Sequence, residues 1–211
     1  MPLKSVYFYL LLSIVIMAVG FGIKIFNVEN NSLQLNSSTT IEKGHSTGTP
    51  MIGGSFSLIN QDGNIISNET YRGKYVLIFF GYTFCPDVCP MDVSRNSVAV
   101  DILSDIGVTI RPVFITIDPK RDTVEYLADF VANNHPNLIG LTGTEEQIAK
   151  VARAYKVYYK KQPGDDDEYY LVDHSSFTYL MMPEFGFVDF LRSDLSPQTV
   201  ADRVACVVKA S

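Results

Sequence analysis

Apolar runs of strand length alternate with apolar stripes of helical spacing along residues 56–207 of this chain. The continuous apolar run at residues 75–80 is typical of a strand covered on both faces, and the apolar-rich run at residues 108–117 predicts another strand. Between them, Pro90 suits the first turn of a helix and Gly107 ends it. The apolar positions of this predicted helix are Val98, Ile102, Leu103 and Ile106.

Two further helices carry start signals in the sequence. Asp122 with Glu125 three residues later predicts a capping box, and Thr144 with Gln147 predicts a second one. Strands and helices therefore alternate in a β-α-β-α-β-α order. Apolar stripes support both helices, with Leu127, Phe130 and Val131 in the first and Ile148, Val151, Ala152 and Tyr155 in the second.

Shorter strand signals flank this alternation. Residues 56–59 and 65–67 surround Asp62-Gly63, which suits a hairpin turn. Ser196-Pro197 starts a closing helix with an apolar stripe at Val200, Val204 and Val207. We expect a three-layer α/β domain with a mixed sheet. Late strands are predicted at residues 157–161, 169–172, 177–181 and 187–191.

The N-terminal part of the chain has a different pattern. Residues 6–23 carry no charge and lie between Lys4 and Lys24, so this stretch is long enough to span a bilayer. A cleaved signal peptide has a shorter apolar region, and we expect an uncleaved anchor. Residues 27–50 are rich in Asn, Ser, Thr and Gly, as in a flexible tether. The predicted layout is an anchor at 1–26, a tether at 27–50 and one domain at 51–211.

The composition of the chain limits which partners it can bind and indicates the compartment in which it works. The formal charge is −6, and residues 27–211 carry 23 acids against 15 bases, or −8. So acidic a domain is not expected to bind nucleic acid. The N-terminus has no Arg-rich amphipathic leader, which favours a bacterial envelope protein over a mitochondrial one.

Two thiols, Cys85 and Cys89, follow the first buried strand. They could form a structural disulfide, a redox pair or part of a metal site. A disulfide here would close a tiny loop, so its stabilising effect would be small. A helix N-terminus lowers the pKa of a nearby thiol, and two thiolates with one imidazole suit copper. Zinc with a water molecule as its fourth ligand stays open on ligand type alone.

Three histidines could supply the imidazole. His45 lies in the tether, and His135 is predicted in a surface loop. His174 follows a strand-like run and lies between Asp173 and two serines; a histidine in such a place is more often structural than a ligand. The third cysteine, Cys206, is predicted to be a buried apolar residue of the closing helix.

Four motifs together resemble the Sco/SenC proteins. The similarity runs in order from about residue 52 to residue 207, and the spacing of the motifs makes it specific. The motifs are GYTFCPDVCP at 81–90, IDPKRDT at 117–123, LTG at 141–143, and YLVDHS at 170–175 followed by Tyr179-Leu180.

The resemblance implies a thioredoxin-like fold in a single-pass protein of the bacterial inner membrane, with its soluble domain in the periplasm. It implies copper, as Cu(I), Cu(II) or both, bound by Cys85, Cys89 and His174. Supporting positions beside these ligands would be Asp118, Arg121 and Asp173.

The function implied by the resemblance is that of a copper chaperone for the binuclear copper centre of cytochrome c oxidase. Its partners would be the copper-bearing oxidase subunit and an upstream copper donor. We expect no enzyme activity. A thiol-disulfide oxidoreductase acting on the cysteines of a partner is the alternative, although Cys-x-x-x-Cys is not the Cys-x-x-Cys spacing of dedicated oxidoreductases.

Overall fold

A seven-stranded mixed sheet runs through the computed structural model, which describes residues 51–163, 169–183 and 186–211. A separate two-stranded ribbon lies beside it. The strands are β1 (Ser57–Asn60), β2 (Ile65–Ser67), β3 (Tyr75–Gly81), β4 (Ile110–Thr116), β5 (Ile139–Thr142), β6 (Tyr159–Lys161), β7 (Val172–His174), β8 (Phe177–Met182) and β9 (Gly186–Arg192). The helices are α1 (Val88–Asp105), α2 (Val124–Asn134), α3 (Glu145–Ala154) and α4 (Pro197–Ala210), and one 3₁₀ turn spans Asn68–Tyr71.

The strand order in the main sheet is β2-β1-β5-β4-β3-β8-β9. Strands β3, β4 and β5 pair in parallel, and the remaining pairs are antiparallel. The predicted mixed sheet is therefore confirmed. The predicted hairpin is confirmed as β1 and β2, where Gly63 takes the left-handed conformation with φ +80°.

Helices cover both faces of the sheet, which confirms the predicted three layers. On one face, Leu77 of β3 packs in a core formed with α1 and α4. On the other face, the core includes the inner sides of α2 and α3. Alternation along the strand explains why Leu77 belongs to one core and its neighbours Val76 and Ile78 to the other.

The parallel pairing of β3 and β4 decides where the functional loops lie. Gly81 at the end of β3 pairs with Thr116 at the end of β4. The loop with Cys85 and the segment with Asp118 therefore leave the same edge of the sheet. Carboxyl ends of parallel strands are where open α/β sheets place ligands.

Two of the three predicted helix caps are confirmed, and one is wrong. Thr144 and Gln147 form the capping box of α3, and the Ser196 side chain caps α4. At α2, Thr123 is the capping residue, and its hydroxyl accepts from the Tyr126 N–H at 3.4 Å. Asp122 is instead a buried carboxylate, because threonines of neighbouring segments supply its hydrogen-bond donors.

The predicted apolar stripe of α1 is only partly correct. Leu103 is buried, but Val98 and Ile106 are 44% and 58% exposed. The reason is that α1 also buries polar side chains, so its hydrophobic pattern does not reveal its inner face. These buried polar residues are Asp92, Arg95, Asn96 and Ser97.

Two other predictions about single residues are wrong. Cys206 is exposed, because the inner face of α4 is formed by Val200 and Val204, and position 206 turns away from it. His135 is buried rather than on the surface. Its Nε2 lies 3.1 Å from Asp101 Oδ1, and its Nδ1 accepts from the Asn137 N–H at 3.1 Å.

Across the described ranges 51–163, 169–183 and 186–211, no helix is long and apolar enough to cross a bilayer. The predicted anchor at 1–26 and tether at 27–50 lie outside these ranges.

Candidate metal centre

The two thiols lie on either side of the start of α1. Cys89 is the second residue of the helix and is fully buried, whereas Cys85 is half-buried in the loop before it. Both are free thiols. The Cys89 N–H donates to Cys85 Sγ at 3.4 Å, so the first turn of α1 presents a backbone hydrogen-bond donor to this sulfur.

Glycine at position 81 leaves room for the buried thiol. A Cβ atom at this position would lie 2.9 Å from Cys89 Sγ, 2.9 Å from Phe79 Cε1 and 3.0 Å from Phe114 Cε2. Such distances are too short for real contacts. The last residue of β3 must therefore have no side chain if Cys89 is to occupy this place.

His174 approaches the thiols from the separate ribbon. It is the last residue of β7 and pairs with Tyr159 of β6. Its ring meets those of Phe79 and Tyr82 edge to face, at centroid distances of 6.2 Å and 6.0 Å. These aromatic contacts restrict the orientation of the imidazole.

The hydrogen bonds of His174 define its tautomer. Nδ1 lies 3.0 Å from the Ser175 carbonyl oxygen, which can only accept, so Nδ1 carries the proton and donates it. Nε2 is then the basic nitrogen, and it lies 3.2 Å from Cys89 Sγ. A backbone carbonyl that fixes the tautomer in this way is a common device in histidine metal ligands.

The three predicted ligands come together. The Sγ atoms of Cys85 and Cys89 and the ligating nitrogen of His174 all lie within 4.8 Å of one another. Bonds of about 2.0 to 2.3 Å from one metal ion to nitrogen and sulfur would need donors separated by no more than about 4.6 Å. A small movement of the three ligand atoms toward one another is therefore enough for all of them to bind one ion. The donor set of two sulfurs and one nitrogen fits a soft metal.

Burial shifts the pKa values of two of the predicted ligands, Cys89 and His174, in opposite directions. Burial raises the pKa of Cys89, and the neighbouring Cys85 and Asp92 act in the same direction. Burial lowers the pKa of His174 from its ordinary value of 6.5, although its bond to Ser175 and the nearby carboxylates of Asp92 and Asp173 oppose this. At neutral pH the metal-free site therefore contains a neutral imidazole and a protonated Cys89.

Asp118 and Arg121 lie between the cysteine loop and the ribbon of His174. Arg121 Nε forms an ion pair with Asp118 Oδ2, and Asp118 Oδ1 accepts from the Tyr170 hydroxyl at 2.7 Å. The Arg121 guanidinium stacks over the ring of Tyr170 at 3.7 Å and over that of Phe84 at 5.0 Å. Phe84 precedes Cys85, so Arg121 joins the two segments that carry the predicted ligands.

Asp173 takes no part in the contacts that Asp118 and Arg121 make among the described residues. It is exposed on β7, where successive side chains point to opposite faces, and its carboxylate accepts from Gln162 Nε2. Its contribution to the site is a weak electrostatic influence on His174. The supporting role predicted for it stays a prediction.

Sequence reasoning missed a buried polar network beneath the site. Asp92 forms a buried ion pair with Arg95 at 2.7 Å and accepts from the Ser193 hydroxyl at 2.8 Å. Arg95 also donates to Thr178 Oγ1 at 3.0 Å, in the strand that follows His174. The only signal in the sequence is the spacing of an acid and a base three residues apart, which is common on exposed helix faces.

Sequence reasoning also missed Tyr82. Its hydroxyl accepts from the Val172 N–H at 3.3 Å, which ties the ribbon of His174 to the segment that carries the thiols. Burial raises the pKa of Tyr82, so its hydroxyl stays protonated at neutral pH.

A comparison with protein-family models matches residues 44–209 to SCO1/SenC. The chain belongs to the SCO1/SenC family. It is 46% identical over 169 residues to protein SenC of Rhodobacter capsulatus, a match that covers 80% of this chain and 76% of SenC. It is 44% identical over 168 residues to the mitochondrial SCO1 homolog 1 of Arabidopsis thaliana, covering 79% of this chain but only 50% of that protein.

Solved structures of Sco proteins share the fold. Arabidopsis thaliana ScoI with copper bound is 43% identical, with a TM-score of 0.72 over 76% of this chain and 99% of that one. BsSco, from the Sco family of cytochrome c oxidase assembly proteins and studied for a disulfide switch, is 25% identical, with a TM-score of 0.62 over 77% of this chain and 94% of that one. The predicted thioredoxin-like α/β fold is thereby confirmed.

Proposed function

We propose that this chain is a copper chaperone that binds copper through Cys85, Cys89 and His174 and delivers it to the binuclear copper centre of cytochrome c oxidase during assembly. The observation that supports it best is the convergence of two thiols and one imidazole, with their ligand atoms within 4.8 Å of one another. Copper is favoured over zinc because the donors are soft and because a relative of the same family is known with copper bound.

Delivery requires that a partner can reach the metal. Cys85 and His174 are half-buried whereas Cys89 is buried, so two of the three ligands are accessible from outside. The ligands of an acceptor protein could replace Cys85 and His174 on the metal first and Cys89 last. The proposed acceptor is the copper-bearing subunit of the oxidase, and an upstream copper donor would load the site.

The proposed setting is a membrane surface. Residues 1–26 would anchor the chain in the bacterial inner membrane, residues 27–50 would act as a tether, and the domain at 51–211 would lie in the periplasm. The uncharged stretch at 6–23 supports this layout. Since relatives include a mitochondrial protein, the mitochondrial inner membrane is the alternative location.

Metal analysis of the purified full chain under reducing conditions tests the chaperone function. Wild type is expected to retain one copper ion per chain after dialysis, and Cys85→Ser, Cys89→Ser and His174→Ala are each expected to lose most of it. Cys206→Ser is the matched control, because this thiol is exposed on α4. Equal copper content in wild type and His174→Ala would exclude His174 as a ligand.

A second candidate function uses the same thiols for redox chemistry. Cys85 and Cys89 are adjacent free thiols, and BsSco was studied for a disulfide switch. In this function the two thiols would reduce a disulfide of an oxidase-subunit peptide. Two electrons and two protons would pass from Cys85 and Cys89 to the peptide cysteines, and a disulfide bond would form between Cys85 and Cys89 as the peptide disulfide breaks. Rapid exchange with such a peptide, together with no copper uptake, would favour this function over the first.

A further inference from the structure

A buried carboxylate joins the two segments that leave the carboxyl ends of β3 and β4. Asp122 has 0% exposure, and its carboxylate accepts three hydrogen bonds. Thr83 donates both its N–H, to Oδ2 at 3.0 Å, and its hydroxyl, to Oδ1 at 2.6 Å. Thr116 donates its hydroxyl to Oδ2 at 2.6 Å.

These bonds fix the loop that carries the half-buried thiol. Thr83 lies two residues before Cys85, and both its backbone and its side chain are bound by the same carboxylate. Two bonds from one residue to a rigid, buried acceptor restrict translation and rotation of the loop together. Thr116, the third donor, belongs to β4 and thus to the rigid sheet.

The same network continues toward the third ligand. The Thr116 hydroxyl oxygen accepts from the Asp118 N–H at 2.9 Å, and the Asp118 carboxylate accepts from the Tyr170 hydroxyl at 2.7 Å. Tyr170 lies four residues before His174. Because His174 is on a ribbon outside the main sheet, this path is one of its links to the cysteine loop.

Stability alone is a poor reason for this arrangement. An ionised carboxylate in the core is costly unless its hydrogen bonds are complete. Burial raises the pKa of Asp122, and the bonds from Thr116 and Thr83 act in the opposite direction. An apolar residue would avoid the cost but could not bind Thr83 and Thr116 at once.

We propose that Asp122 is a positioning residue that sets the placement of Cys85 relative to His174, and with it the affinity of the site for copper. Asp122 does not touch the metal, and its action passes through Thr83 on one side and Thr116 and Asp118 on the other. The part of this inference that concerns copper affinity rests on the proposed function. The part that concerns the placement of Cys85 is tested on the thiol alone and does not depend on that function.

Thr83 gives the cleanest test, because its substitutions leave the buried carboxylate in place. Thr83→Val removes the hydroxyl donor and keeps the N–H donor, while Thr83→Ser keeps both. Asp122→Asn can also keep the contacts, since an amide oxygen can replace Oδ2 and an amide N–H can donate to the Thr83 hydroxyl. Asp122→Ala removes them all. Ser97→Ala is the matched control, a buried hydroxyl of α1 that donates only to the Val93 carbonyl among its described contacts.

The first measurement is the alkylation rate of Cys85 in the metal-free full chain, divided by that of the exposed Cys206 in the same sample. Thr83→Val is expected to raise this ratio about two- to tenfold, the range that corresponds to the loss of one hydrogen bond. Thr83→Ser, Asp122→Asn and Ser97→Ala are expected to stay close to wild type.

The second measurement is Cu(I) affinity in competition with a chromophoric chelator, which should fall in Thr83→Val by a similar factor and recover in Thr83→Ser. The inference would be overturned if Thr83→Val and Asp122→Ala lowered the melting temperature but left the alkylation ratio unchanged. It would also be overturned if the alkylation ratio changed while the Cu(I) affinity did not. If wild type itself takes up no Cu(I), the proposed function fails, and the alkylation ratio still decides whether Asp122 positions Cys85.

Discussion

Cys89 Sγ lies 3.2 Å from His174 Nε2, although the two residues are 85 positions apart in the chain. Since His174 Nδ1 donates to the Ser175 carbonyl, Nε2 must accept a hydrogen bond from the Cys89 thiol. The metal-free site therefore holds a hydrogen-bonded thiol and imidazole at the place where a metal ion would bind both. A metal ion that binds here has to displace that proton.

This relationship predicts that copper binding releases protons near neutral pH. Burial raises the pKa of Cys89, so the thiol is protonated, while burial lowers the pKa of His174 below 6.5, so the imidazole is neutral and releases none. Protons compete with copper for sulfur, and the apparent affinity should rise by about tenfold per pH unit for each proton displaced. Calorimetry in buffers of different ionisation enthalpy counts the protons between about pH 6.5 and about pH 8.

Variants separate the sources of those protons. His174→Ala should bind copper more weakly but release the same number of protons as wild type, whereas Cys89→Ser should release fewer. An affinity that does not change with pH in this window would contradict a protonated Cys89.

Gly81→Ala should harm both stability and metal binding, because its Cβ would collide with Cys89 Sγ, Phe79 and Phe114. Overpacking of this kind costs about 1–3 kcal/mol, which urea unfolding can measure. Copper affinity should fall as well, since the thiol must move. Gly140→Ala is the matched control: its Cβ would meet Val131 at 3.1 Å and Leu127 at 3.4 Å but no thiol, so it should affect stability alone. Wild-type copper affinity in Gly81→Ala would show that Cys89 need not stay where it is.

The order of elements could be predicted from this sequence because hydrophobic periodicity and helix caps are local signals. The capping box at Thr144 and the Pro197 helix start are where the pattern places them. The inner face of α1 could not be predicted in this way, since it buries a charged pair, Asp92 and Arg95, that only the folded structure reveals. Burial of charge depends on partners far away in the chain, here Ser193 and Thr178.

The candidate site shows the same limit. Cys85 and Cys89 are recognisable from their spacing, but no local pattern distinguishes His174 from a structural histidine, and only the family resemblance pointed to it. The sequence predicts Asp122 as a helix cap, because it has the residue type and the position of one. The competing donors, Thr83 and Thr116, come from two other segments and are absent from any local window.

Arg121→Lys should weaken the site even though it preserves the charge. Lysine can still pair with Asp118, but it loses the planar stacking of the guanidinium over Tyr170 and Phe84. The stacking is worth about 0.5–2 kcal/mol, so we expect a similar loss of stability and a measurable loss of copper affinity. Arg72→Lys, in an exposed pair with Glu69, is the control and should leave both quantities unchanged. Equal behaviour of the two lysine variants would mean that the stacking does not support the site.

Removing one partner of the buried Asp92–Arg95 pair should destabilise the domain more than removing one partner of an exposed pair. Asp92→Ala leaves the Arg95 guanidinium buried without its carboxylate, which typically costs about 3–5 kcal/mol. Asp194→Ala removes an exposed partner of Arg192 and should cost about 0–1 kcal/mol. Urea unfolding of the metal-free full chain gives both values. Asp92 also accepts from the Ser193 hydroxyl, which lies 2.6 Å from the Ser176 carbonyl oxygen, two residues after His174. The loss of Asp92 should therefore loosen the segment of His174 as well. A small effect of Asp92→Ala, comparable with that of Asp194→Ala, would show that water reaches Arg95 and that the network does not hold α1 against β8.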